Sequence, residues 1–167
     1  AAAREEHPED AVTAAYLAAA RFQELGSTAR VETALARIQE VTRLAEEAVE
    51  RAEEATSIEA AEARAVAGWL LTSLPAECEM TARGLGALEA VFDGAADSAR
   101  PALSPGPARL RYRVLGAFLL QRALAREDVP RAMRRGAAVR REALAREVFC
   151  LDPACDLARV LYLGARR

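Results

Sequence analysis

Apolar residues recur along most of this chain at spacings of three and four, which is the period of an amphipathic α-helix. The clearest run continues to about residue 55 and has the residues of a heptad-like seam: Val31, Leu35, Ile38, Thr42, Ala45, Val49 and Ala52. Further apolar residues on either side widen the seam enough for two packing neighbours. The pattern therefore predicts a long second helix with an inward stripe. At about 40 Å, this helix would overhang the shorter first helix by several turns.

Helix start and stop signals divide the rest of the chain. Pro8, followed by acidic residues, predicts the start of a first helix, and Gly26 predicts its end. Thr56 and Glu59 match a capping box that opens a third helix, which Pro75 ends before a fourth. The predicted helices cover residues 8–25, about 28–55, 57–74, 76–92, 108–126 and 129–150, with a short seventh from residue 153.

The connections between these helices are short, apart from residues 93–107, which are rich in Pro, Ser and Gly. Short connections place successive helices antiparallel to each other. We therefore expect one all-α domain over residues 1–167, of about seven helices. It would have a first helix pair over 8–56, a second over 57–92, the loop over 93–107, a third pair over 108–151 and a capping helix over 152–165.

An internal repeat favours an α-solenoid of antiparallel helix pairs over a closed bundle. Small residues recur at spacings of 49 and 48 in the predicted first, third and fifth helices, and a large residue follows each time. A small residue lets another helix approach closely, and the large one fills the space beside it. The small pairs are Ala18-Ala19, Ala67-Gly68 and Leu115-Gly116, followed by Phe22, Leu71 and Leu119.

The third unit resembles a tetratricopeptide repeat. Tyr112, Leu115, Gly116 and Leu119 stand where the first helix of that repeat has its aromatic, Leu, Gly and aromatic residues. The second helix and its terminal Pro are matched by Ala132, Ala143-Leu144 and Leu151-Asp152-Pro153. The units here are longer than the usual repeat of about 34 residues, and are most similar to those of large bacterial transcription activators and their signalling relatives.

This resemblance implies a TPR-like module that binds a protein or peptide and serves in signalling or transcription regulation, as a segment of a larger protein. The family's peptide-carboxylate clamps use Lys and Asn, and neither residue occurs in this chain.

The charge is unevenly distributed, although the chain as a whole carries only −2. Residues 1–99 have 8 Arg against 19 acidic residues, and residues 100–167 have 15 Arg against 6. This polarity favours an acidic protein partner on the C-terminal half, nucleic-acid binding there, or a head-to-tail homodimer, unless the arginines only pair locally. The candidate contact residues are Arg109, Arg113, Arg131, Arg134, Arg135 and Arg141.

Several chemical functions lack the residues they need. His7 is the single histidine and lies near the N-terminus beside Pro8, where we do not expect a buried general base, so Ser-His-Asp catalysis is not predicted. Cys78, Cys150 and Cys155 are too few for a structural zinc site, and no Gly-rich phosphate loop is present. We therefore predict no catalytic residue, no metal and no cofactor. The odd number of thiols and the lack of a targeting pattern favour a cytoplasmic location.

Tyr16 and Trp69 lie on helices that would line the inner surface of a solenoid, where they are either partner-binding or core residues. The favoured function is non-catalytic binding of a protein or peptide. Two alternatives remain: a helical bundle that senses an apolar small molecule, and a nucleic-acid-binding protein that uses the basic half. No apolar stretch approaches the roughly 18 residues that a membrane span needs. We therefore predict no membrane-spanning segment and no membrane partner.

Overall fold

The computed structural model describes residues 8–26, 30–53, 55, 57–94, 107–126, 129, 146, 149–150 and 159–160. Within these ranges all regular structure is helical. The elements are α1 (Pro8–Leu25), α2 (Val31–Ala52), α3 (Ile58–Ser73), a 3₁₀ turn (Ala76–Cys78), α4 (Thr81–Gly94) and α5 (Pro107–Leu124). The predicted all-α class is confirmed for this part of the chain. Most of the predicted sixth helix and capping helix lies outside the described residues.

Helices α1 and α2 form an antiparallel hairpin, as the short connection between them predicts. Arg21 Nε lies 3.2 Å from Glu40 Oε1, and Arg37 forms an ion pair with Glu24. The later residue of α1, Glu24, pairs with the earlier residue of α2, Arg37, and Arg21 pairs with Glu40. The two helices therefore run in opposite directions. Val41 and the residues beyond it are the part of α2 that enters the core.

Helices α1 and α3 run parallel and pack against each other. Tyr16 of α1 contacts Glu62 of α3, and Phe22 contacts Trp69 further along both helices. Residue numbers increase from the first contact to the second on both helices, so α1 and α3 point in the same direction. Helix α2, which lies between α1 and α3 in the chain, also packs against α3.

Helix α5 lies on α3 as well, again in parallel. Tyr112 contacts the same Glu62 as Tyr16, and Arg126, just after α5, contacts the carbonyl oxygen of Leu74, just after α3. Helix α4 packs against both α3 and α5. Helix α3 is therefore the central element of the described structure, with α1 and α5 parallel to it.

Small side chains fill much of the core. The cluster around α1, α2 and α3 contains mainly buried alanines, with Val41, Leu70, Leu71 and Leu74 as larger members. A second cluster joins α4 to α5 through Leu85, Leu88, Val114, Ala117 and Leu120. Alanine keeps helix propensity high while letting helix axes approach closely, so the composition suits closely packed helices.

The closest approach is between α3 and α4, at two glycines. A Cβ added at Gly84 would lie 2.7 Å from Thr72 Cγ2 and 2.8 Å from the carbonyl oxygen of Gly68. A Cβ at Gly68 would lie 3.0 Å from the carbonyl oxygen of Gly84 and from Leu88 Cγ. The close approach expected at the small pair that includes Gly68 is therefore present, and it joins the two helices of one pair.

The first members of the inward stripe of α2 are exposed, at the end where α2 overhangs the shorter α1 as its predicted length indicates. Val31 and Leu35 are 76% and 56% exposed, and burial begins with the half-buried Ile38. The ion pair between Glu24 and Arg37 shows the reason. Helix α1 ends at Leu25, so the first turns of α2 reach beyond the helix that would cover them.

The predicted fourth helix is divided. After Pro75 the chain makes a 3₁₀ turn over Ala76–Cys78, and α4 begins only at Thr81. Glu79 between them has a φ of 56°, in the left-handed region that a continuous right-handed helix cannot include. Pro75 was correctly predicted to end α3, but it does not start α4.

The N-terminus of α3 is capped one residue later than the capping box predicts. The Ser57 hydroxyl accepts a hydrogen bond of 3.2 Å from the Ala60 backbone N–H. Glu59 adds a carboxylate in the first turn, where its own backbone N–H and the Ser57 hydroxyl lower its pKa. Ser57 therefore carries a capping interaction at the start of the helix, and Thr56 lies outside the described residues.

The corner between α2 and α3 is closed by one arginine. Arg64 Nη2 donates to the carbonyl oxygen of Ala52, to that of Glu53 at 3.0 Å and to that of Ala55 at 2.9 Å. The last carbonyl groups of a helix have no partner within it, and a cation there also complements the helix dipole. Burial lowers the pKa of Arg64, and the Glu53 carboxylate opposes that shift.

Candidate binding surface on α1, α3 and α5

One side of α3 stays open between α1 and α5. Its residues follow the helical spacing of three and four, and Glu59 and Trp69 are exposed while Glu62, Val66 and Ser73 are half-buried. The neighbouring helices add Tyr16, Phe22 and Tyr112. We call the surface formed by Tyr16, Phe22, Glu62, Trp69 and Tyr112 the odd-helix face.

A carboxylate holds two tyrosines at the centre of the odd-helix face. Tyr16 Oη donates a hydrogen bond of 2.5 Å to Glu62 Oε1, and Tyr112 Oη donates one of 2.9 Å to Glu62 Oε2. Each carboxylate oxygen thus accepts one hydroxyl, from α1 on one side and from α5 on the other. This arrangement fixes three parallel helices and orients both phenol rings.

The electrostatics of this cluster favour neutral phenols. The hydrogen bond with Glu62 raises the pKa of Tyr16, with burial and the charge of Glu62 adding to it. Burial, followed by the hydrogen bond with Glu62, raises the pKa of Tyr112 to about 12. A phenolate at either position would face a carboxylate and lose the hydrogen bond that it donates.

An aromatic pair lies further along the face. Trp69 is 38% exposed, and its ring meets Phe22 edge to face at a centroid distance of 5.9 Å and an interplanar angle of 71°. Such pairs are stabilising beyond their burial. Trp69 follows Glu62 by seven residues, so the two lie about 10 Å apart along α3. The face therefore combines an acidic centre with an exposed aromatic end.

The structure brings Tyr16 and Trp69, two of the predicted partner-binding residues, to the same face. Arg109 and Arg113 lie within α5, but their side chains are outside the described part of the structure. The remaining predicted contacts, Arg131, Arg134, Arg135 and Arg141, lie outside the described residues altogether. The predicted basic surface stays a prediction.

Sequence reasoning missed Glu62 as a site residue and used Tyr112 only as a repeat signature. Glu62 stands one heptad before Trp69, which places both on one side of α3. That spacing was a usable signal. Nothing local pairs Glu62 with tyrosines that lie 46 and 50 residues away.

A surface recess of about 300 Å³ lies between α2 and the 3₁₀ turn. It is lined by Ile38, Gln39, Thr42, Arg43, Glu46 and Cys78. Its mixed charged and apolar lining differs from the enclosed apolar cavity that the small-molecule-sensing alternative predicts. Cys78 is half-buried and Cys150 exposed, and both are free thiols.

The described ranges contain neither a metal-binding cluster nor a membrane-spanning helix. No three side chains among His, Cys, Asp and Glu there are grouped so that they could hold a metal ion. None of the helices described above has the length and apolar content needed to cross a membrane.

Comparison with known proteins adds no family. No protein-family model matches the chain, and no curated protein or solved structure shows significant similarity to it. The resemblance to tetratricopeptide repeats therefore depends on the residue pattern alone.

The tyrosine pair gives a test of this geometry in solution. A tyrosine in the unfolded chain has a pKa near 10, and both folded values lie above that. The folded state therefore holds protons that the unfolded state releases between about pH 10 and 12. The contribution of the pair to stability should be complete below about pH 10 and should decline as the pH rises towards 12.

Absorbance of tyrosinate during an alkaline titration measures the effect, with Tyr16→Phe and Tyr112→Phe assigning each phenol. Glu62→Gln should remove most of the upward pKa shift of Tyr16 but only part of the upward shift of Tyr112. The reason is that Glu62 is the main cause of the shift at Tyr16, whereas burial is the main cause at Tyr112. A titration curve that is identical with and without Glu62→Gln would contradict the bridged arrangement.

Proposed function

We propose that this chain is a non-catalytic protein- or peptide-binding module, built as an α-solenoid of TPR-like helix pairs, and that its partner docks on the odd-helix face. The observation that carries the proposal is the pair of exposed but fixed aromatic residues. Tyr16 and Trp69 are 51% and 38% exposed, yet each is held by a side chain of the adjacent parallel helix.

Fixed, exposed aromatic side chains suit partner binding for two physical reasons. Tyr and Trp are the residue types that most often dominate the binding energy of protein interfaces. Restricting their side chains before binding lowers the entropy that association would otherwise cost. The hydrogen bond from Tyr16 to Glu62 and the contact between Trp69 and Phe22 provide that restriction.

The order of helix contacts supports the solenoid part of the proposal. Helices α1, α3 and α5 are parallel neighbours, while α1 with α2 and α3 with α4 form the successive pairs. Stacked helix pairs of this kind give repeat proteins a surface built from every second helix. A role as the regulatory segment of a bacterial signalling or transcription protein follows only from the resemblance to the tetratricopeptide-repeat family.

Selection of peptides from a random display library tests the proposal. Trp69 is the single tryptophan of the chain, so its fluorescence reports on the face directly. Selected peptides should change the Trp69 emission, and Tyr16→Ala should weaken their binding by about 30-fold, as expected for a central interface aromatic. Leu35→Ala is the matched control, because Leu35 is a similarly exposed residue on α2, and it should leave affinity unchanged.

Two results would contradict the proposal. One is a set of peptides that bind Tyr16→Ala and Trp69→Ala as tightly as the unchanged chain. The other is salt-dependent binding of generic duplex DNA with no peptide that depends on the face, which would favour the nucleic-acid alternative.

A further inference from the structure

The chemistry of the odd-helix face specifies its occupant more closely. We infer that the face takes a peptide segment that places an Arg or Lys side chain on the Glu62 carboxylate and an apolar side chain against Trp69. This inference rests on the proposed function, since it names the substrate class of the same surface. It differs from the acidic partner that the basic C-terminal half predicts.

The first step is the state of the Glu62 charge. Within the described residues the carboxylate contacts only the hydroxyl groups of Tyr16 and Tyr112, which are neutral. Other acids of this chain contact arginine, as Glu24 and Glu47 do. The charge of Glu62 is thus hydrogen-bonded and oriented but is not neutralised by an arginine of the described structure.

The second step concerns the capacity of that carboxylate. A carboxylate has about four lone-pair positions and can accept a bidentate arginine. The two tyrosines use one position on each oxygen, so each oxygen retains one. Hydrogen bonds to an ionised partner are about twice as strong as neutral ones. A guanidinium or ammonium group is the ligand class that fits these remaining positions.

The third step is the apolar end of the face. Val66 and Trp69 follow Glu62 on the open side of α3, and Phe22 supports the indole ring. The separation of about 10 Å between Glu62 and Trp69 corresponds to three residues of a polyproline II peptide, whose side chains recur on one side at every third residue, or to seven residues of a helical peptide. An occupant therefore needs its cationic and apolar side chains at one of those spacings.

The fourth step is the charge of the three helices that form the face. Helices α1 and α3 each carry more acidic residues than arginines, whereas α5 carries four arginines and no acidic residue. The attraction for a cationic side chain is therefore local to the Glu62 carboxylate and to the α1 side of the face.

Binding measurements on the display-selected peptides test the inference with the full chain. The selected sequences should share an Arg or Lys three or seven positions from an aromatic or long aliphatic residue. Glu62→Gln should weaken binding by about tenfold or more, the range for a hydrogen bond to a charged group. Glu50→Gln makes the same change of net charge at an exposed position of α2 and should leave affinity nearly unchanged.

A second arm leaves the protein intact, in case Glu62→Gln disturbs the fold. Replacing the peptide's Arg by citrulline, which is uncharged and of similar shape, should weaken binding to the unchanged chain by a similar factor. Peptides that require Tyr16 and Trp69 but are acidic or neutral, and that bind Glu62→Gln equally well, would overturn the inference and leave the proposed function standing. Failure to select any peptide that depends on Tyr16 or Trp69 would overturn both.

Discussion

Replacing Gly84 with alanine is expected to lower the free energy of unfolding by about 2 kcal/mol. The added Cβ would lie 2.8 Å from the carbonyl oxygen of Gly68 and from the backbone nitrogen of Thr72. These are backbone atoms, so α3 and α4 must move apart. Overpacking of this kind costs up to about 3 kcal/mol, which exceeds the gain of about 1 kcal/mol from replacing a helical glycine with alanine.

Gly86→Ala is the matched control for this prediction. Gly86 lies on the same helix two residues later, and a Cβ there would meet no atom within 4 Å. Its substitution should raise stability by up to about 1 kcal/mol through helix propensity alone. Thermal or urea unfolding of both variants measures the difference, and equal stabilisation by the two alanines would show that α3 and α4 do not approach so closely.

Arg64→Ala is expected to lower the free energy of unfolding by about 2–3 kcal/mol, the upper part of the range for losing hydrogen bonds to a charged group. The guanidinium donates to three carbonyl oxygens at the end of α2, those of Ala52, Glu53 and Ala55. Arg64→Lys should recover only part of the loss, because the lysine ammonium ends one bond short of the position of Nη2, which makes all three contacts.

Arg43→Ala provides the comparison for Arg64. Arg43 is on α2 with a side chain 67% exposed, and its 3.2 Å ion pair with Glu47 is of the exposed i,i+4 type. Such pairs contribute about 0.3–0.5 kcal/mol, so chemical denaturation should separate the two arginine variants clearly. If Arg64→Ala and Arg43→Ala unfold at the same denaturant concentration, Arg64 does not close the corner between α2 and α3.

The helices themselves were largely predictable, because their signals are local. Pro8 and Gly26 mark the ends of α1, and the structure places that helix at Pro8–Leu25. Pro75 was likewise correct as the end of α3. The error at α4 has a physical cause: the left-handed conformation of Glu79 occurs at a residue with no sequence signal for it, since a non-glycine residue rarely adopts a positive φ.

Burial was predictable only where a neighbouring helix is long enough to cover the stripe. The seam of α2 has the correct period from Val31 onwards, yet its first members are exposed. Periodicity defines which side of a helix is apolar, but the length and position of the adjacent helix determine how much of that side is covered. The register of α1 against α2 was not contained in the pattern.

The sequence by itself determined the helical class, most helix ends and the presence of small residues at repeated positions, because these depend on interactions within a few residues. It also placed Glu62 and Trp69 on one side of α3. Only the tertiary structure decided that Tyr16 and Tyr112 share the Glu62 carboxylate and that Gly68 meets Gly84. Such contacts join side chains on different helices, so they exist only after packing has fixed the register and direction of one helix against another.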